Sequence, residues 1–92
     1  MAHSPGYYTS YTPGDGGVLE DMEDTYGAKF ERLNRAEKLC LISMMAADLA
    51  FLSTEPRTSE DLFSLMLAIK GELAISDREG LVECLINGVR NP

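Results

Sequence analysis

An all-α fold is what this sequence predicts: a small bundle of about four helices behind a flexible N-terminal tail. Three observations carry it. From Val18 onward, apolar residues recur at helical spacing. Residues that cap helices stand ahead of these runs, at Asn34, Thr58 and Ser76. No stretch alternates apolar and polar residues long enough for a sheet strand. The expected organisation is a tail over 1–17 and one helical domain over 18–92, in bundle-like order with short loops.

The tail, MAHSPGYYTSYTPGDGG, is built of Gly, Pro, Ser, Thr and Tyr without apolar periodicity. Such a stretch does not recover its ordering entropy by burial. Next, Leu19, Met22, Tyr26, Phe30 and Leu33 share one stripe and predict a first helix from Val18 to Leu33. Acids lead it (Glu20, Asp21, Glu23, Asp24), and Lys29 and Arg32 close it, as the helix dipole favours. Two features weaken it. Gly27 costs about 1 kcal/mol against Ala, and Glu20, Asp24 and Glu31 align on one side, where like charges repel.

The second helix has the clearest start. Asn34 with Glu37 three residues later forms a capping box, and Arg35–Leu52 makes about 27 Å of helix. From Leu39 it is apolar nearly all round, which predicts a central, buried element. Ala36, Cys40, Ala47 and Ala50 gather on one side, with Leu41, Met45 and Leu52 opposite. Asp48 is the one charge of the run and is expected at a wet edge; if enclosed, it would need Arg57 or Arg78 as a partner. Pro56 prevents simple continuation. Thr58 caps a third helix, with Glu60 and Asp61 in its first turn and Gly71 as its stop. Ser76 with Glu79 opens a fourth, on which Leu81, Val82, Leu85, Ile86 and Val89 follow at helical spacing before Gly88 caps the end. Within it, residues 72–86 (ELAISDREGLVECLI) resemble the helix-start pattern of tellurite-resistance-type helical domains, in which acids on two helices meet. The likeness spans under a fifth of the chain and lacks a second acidic element, so no function is carried across.

Composition excludes several functions. Net charge is −7 with a pI near 4.5, and the eight Lys and Arg are scattered singly. No basic stripe exists to release counterions from phosphate, which argues against direct nucleic-acid binding. The longest apolar run, Leu39–Leu52, contains Asp48 and is short for a membrane span of about 20 residues. Cys40 and Cys84 sit in apolar runs as small hydrophobes rather than a disulfide framework, and no secretory leader pattern is seen. The chain therefore reads as cytoplasmic.

No catalytic or metal pattern emerges. The single histidine, His3, lies in the tail, where nothing would hold it for nucleophilic chemistry. The cysteines lack zinc spacing. A calcium loop begun at Asp21 would place Tyr26 and Arg32 where Gly and Glu are needed. Gly14, Gly16 and Gly17 have no preceding strand and no following lysine to make a phosphate loop. The expectation is no enzyme, no cofactor and no metal.

Protein contact is what remains. The acidic side of the first helix (Glu20, Asp24, Glu31) would face a basic surface on another protein. Tyr7, Tyr8 and Tyr11 in the tail supply aromatic anchors. Leu41 and Met45 mark the second helix's extra apolar side, a candidate homodimer seam. The expected function is a small acidic adaptor or regulator; the alternative is a structural or assembly subunit of a larger complex, homo-oligomeric or not.

Overall fold

The computed structural model describes residues 3–55 and 62–92, and every regular element among them is a helix. The order is α1 Pro5–Tyr8, α2 Val18–Tyr26, α3 Arg35–Leu52, α4 Leu62–Glu72 and α5 Ile75–Arg90. The chain is all-α, and its small size fits a helical bundle. It divides into two compact units, Met1–Thr54 and Glu55–Pro92. The cap at Thr58, the acids Glu60 and Asp61, and the cation Arg57 lie outside the described residues.

In the first unit, the segment read as tail contains one turn of helix. Pro5 sits at its start, where a missing N–H costs nothing, and is buried. Thr9 closes the turn by donating from both its N–H and its hydroxyl to the Pro5 carbonyl, at 3.1 and 2.8 Å. Gly6 is required by close approach, since a Cβ there would lie 2.9 Å from the Tyr11 carbonyl oxygen.

The first long helix is shorter than its apolar spacing implies. It stops at Tyr26, because Gly27 turns out of it with φ 98° and ψ 160°, a region that side chains exclude. Gly17, at φ 85° and ψ −169°, opens the same helix without a side-chain cap. Two glycines therefore bracket α2, and the regular repeat of apolar residues through Phe30 and Leu33 continues past the helix rather than along it. The returning turn is held by Arg32 N–H to the Tyr26 carbonyl at 2.8 Å and Leu33 N–H to Phe30 at 3.0 Å. Phe30 itself takes a left-handed φ of 57°. Arg32 still serves the end of α2 as its charge foretold, donating from Nη1 to the Thr25 carbonyl at 3.5 Å. Leu33 ends the turn 7% exposed, the sole buried apolar side chain besides Pro5 among the described residues.

α3 begins and ends where the sequence places it. Asn34 Oδ1 accepts from Glu37 N–H at 2.8 Å, and Glu37 Oε1 accepts from Asn34 N–H at 2.9 Å, which completes the capping box. Its expected burial is not found: no α3 residue is buried, and Phe51 is 84% exposed. The reason is length. The other helices of this unit have four and nine residues, too little to sheathe an 18-residue helix that is apolar all round. Asp48 is exposed, at the wet edge expected for it, and both cysteines are exposed rather than packed.

In the second unit, α4 runs through Gly71 to Glu72, and α5 starts at Ile75 with Ala74 as its cap and no side-chain cap bond. Ser76 thus lies inside the helix, and Gly88 lies inside it too, ahead of the true cap at Asn91. Arg78, in the first turns of α5, reaches back to the end of α4. Its Nε donates to the Leu73 carbonyl at 3.0 Å and its Nη2 to the Lys70 carbonyl at 2.8 Å. A cation on carbonyls at a helix C-terminus satisfies acceptors that the helix itself leaves open. Replacing Arg78 by Met should therefore cost about 1 kcal/mol after allowance for its partial exposure. Amide hydrogen exchange in the last turn of α4 should quicken; unchanged protection there would show that the clamp is dispensable.

Candidate functional site

The N-terminal segment and α2 bring aromatic and acidic side chains together in the first unit. His3 precedes α1, before the extended cap residue Ser4, and Tyr7 lies within its single turn. Their rings stack at 3.9 Å with 15° between planes. Tyr8 meets both edge-on, with centroids 6.0 Å from His3 and 4.9 Å from Tyr7. His3, read as a solvated bystander, is exposed but is part of a three-ring cluster. No spacing rule marks this pair, because His3 lies ahead of the helix and outside its period. The cluster stays open outward, with Tyr7 68% exposed.

Tyr11 links this segment to α2. Its N–H donates to Thr9 Oγ1 at 3.2 Å, and its phenol lies in the field of the Glu23 carboxylate. Desolvation of the half-buried ring first, then Glu23 as acceptor and as charge, then the charges of Glu20 and Asp24, push the phenol up to about 12. Of the residues singled out above, Tyr11, Glu20 and Asp24 are thus brought into one electrostatic neighbourhood.

The raised phenol stabilises the folded unit while it stays protonated. That contribution is complete below the ordinary tyrosine value near 10 and is lost as pH rises through about 12. In a phenolate absorbance titration, one of the four tyrosines should ionise about two pH units late. The Glu23→Gln variant should move it back toward the common value; a variant that titrates like wild type would remove Glu23 as a cause.

Glu31 does not join the group. With α2 ending at Tyr26, it lies in the turn beyond the helix, where its Oε2 accepts from Lys29 N–H at 2.9 Å. Backbone donors at Glu31 itself and at Lys29 hold its carboxyl below the usual carboxylate range. This favours the folded turn above that range, and the contribution is lost as pH falls through the lowered value. The three-acid stripe is therefore two acids on α2 and a third used by the backbone. Leu41 and Met45, one turn apart on α3, are half-buried and exposed respectively.

Among the described residues, no three His, Cys, Asp or Glu side chains are grouped to hold a metal, and no helix is long and apolar enough to cross a membrane. No protein-family model, curated protein or solved structure matches the chain.

Proposed function

We propose that this chain is a non-enzymatic adaptor or regulator of the cytoplasm that binds a basic surface of another protein through its N-terminal segment and α2. The observation that supports this reading is the open ring cluster of the N-terminal segment together with the placement of Tyr11 in the field of Glu23, Glu20 and Asp24 on α2. Open aromatic rings and carboxylates on one unit suit a Lys- or Arg-rich partner. The rings take the aliphatic stems and cationic heads, and the acids steer the approach. Direct nucleic-acid binding does not fit a chain of net charge −7.

The test is affinity capture with residues 1–92, followed by titration of the captured protein against wild type and the Glu20→Lys/Asp24→Lys pair. Charge reversal should weaken binding by about tenfold or more while helical content is kept. Equal affinity would sink the proposal. Glu31 is left intact, because changing it would disturb the turn as well as the charge.

Exposure of the apolar side chains of α3 favours a second reading, an assembly subunit whose helices are covered in a larger complex. The two readings part on the behaviour of the isolated chain. A subunit of this kind should aggregate or form a tight oligomer alone, whereas a regulator should stay dispersed and exchange partners.

A further inference from the structure

Two of the four prolines follow a hydroxyl residue, at Ser4–Pro5 and Thr12–Pro13, and the fold treats them differently. Pro5 is buried at the start of α1, and Ser4 beside it is half-buried. Thr12 and Pro13 are both exposed. Residues 12–15 form a turn in which Asp15 N–H donates to the Thr12 carbonyl at 3.0 Å and Gly14 takes φ 96°. Proline second and a left-handed glycine third are what a type II turn demands. The Asp15 carboxylate closes the turn by accepting from Thr12 N–H at 3.0 Å, so the Thr12 hydroxyl has no part in either bond. Thr9 Oγ1, by contrast, is used twice, donating to the Pro5 carbonyl and accepting from Tyr11 N–H.

Proline after a hydroxyl residue is a chemical signal as well as a conformational one. It biases the residue before it toward extended backbone. It also lacks an N–H, so a cleft with no acceptor at that position takes proline and rejects residues whose amide would be buried unpaired. Proline-directed Ser/Thr protein kinases select substrates in this way. We propose that Thr12 is a phosphorylation site for such a kinase and that its phosphate opens the turn over residues 12–15. In the transfer, Thr12 Oγ1 attacks the γ-phosphorus of a nucleoside triphosphate. The new O–P bond forms as the bond to the β–γ bridging oxygen breaks. Nucleoside diphosphate departs, and the hydroxyl proton passes to a base of the kinase. The product carries about two negative charges at pH 7, on the residue whose N–H holds the Asp15 carboxylate. The phosphate repels that carboxylate and competes with it for the same N–H. The site does not depend on the proposed partner surface, since it is read on the chain alone.

Incubation of the full chain with a recombinant proline-directed kinase and magnesium nucleoside triphosphate tests it, with intact mass and fragment mapping as readouts. Wild type should take one phosphate, on Thr12, and Thr12→Ala should take none. Pro13→Ala keeps the hydroxyl but presents an unpaired amide to the kinase, and should slow the transfer at least about tenfold. In the phosphorylated chain, amide exchange at Asp15 should quicken at least about fivefold, as the net loss of one hydrogen bond requires. Asp15→Asn removes the repelling charge, so the phosphate should quicken exchange less in that variant. The proposal is overturned by an unmodified wild type, by phosphate placed on Ser4 or Ser10 in preference to Thr12, or by Pro13→Ala reacting as fast as wild type. Unchanged exchange at Asp15 in the phosphorylated chain overturns it equally.

Discussion

Replacing Leu33 by Ala should unfold the first unit at markedly lower temperature. Leu33 is the side chain that the Gly27–Leu33 turn delivers inward, and it is 7% exposed while no residue of α3 is buried. Truncating a buried leucine forfeits its transfer free energy and leaves a void. A thin core collapses more readily than a deep one, so the cost should fall at the low end of the known range, about 2 kcal/mol. For a domain this small that is a fall of roughly 8–15 °C in Tm. Phe51→Ala makes the matching comparison. It removes a larger side chain, yet one 84% exposed, and should change stability by less than about 0.5 kcal/mol. Thermal melts followed by circular dichroism decide the matter. Equal losses would mean that Phe51 is covered in solution.

Gly27→Ala should be as damaging for a different reason. At φ 98° and ψ 160° an L-residue is strained, at a cost of about 1–3 kcal/mol. A Cβ there would also collide with the Glu31 carboxylate, displacing it from Lys29 N–H. The two costs separate in a double-mutant cycle. In a Glu31→Ala background the collision disappears and the backbone strain remains, so the Gly27→Ala penalty should shrink without vanishing. Gly71→Ala should go the other way and stabilise α4 by about 0.5–1 kcal/mol, since Gly71 is inside a helix with open space around its Cα. If Gly27→Ala is as harmless as Gly71→Ala in denaturant unfolding, the turn is not held as described.

These two sites also show how legibility in the sequence depends on range. The capping box at Asn34 was readable because both bonds join residues three apart, and the local chain satisfies them in any surroundings. The end of α2 is not legible in the sequence, because Gly27 sits inside an unbroken apolar repeat. Spacing alone does not distinguish a helix with one weak residue from a helix that stops there. The same ambiguity ran in reverse at Gly71 and Gly88, which are helical although each suits a stop. In the sequence, Arg78 stands out only as a cation that an enclosed Asp48 would need. Its actual partners are carbonyls, which every residue carries and no pattern marks.

For the candidate surface, the acids of α2 and the tyrosines were legible as types, since exposed charge and exposed rings are properties of composition. Their union was not. It rests on the one-turn helix at Pro5–Tyr8 and on a phenol that lies in the field of a carboxylate twelve residues away.

By itself, the sequence determined the all-α class, the extent of α3 and the acidic character of the chain. Each follows from short-range hydrogen bonding, helical periodicity or net charge. Tertiary structure alone decided that α2 ends at Gly27, that Leu33 is buried while no residue of α3 is, and that Arg78 binds carbonyls at the end of α4. Those outcomes turn on which groups meet after the chain reverses direction, and backbone strain and carbonyl partners leave no periodic trace in the order of residues.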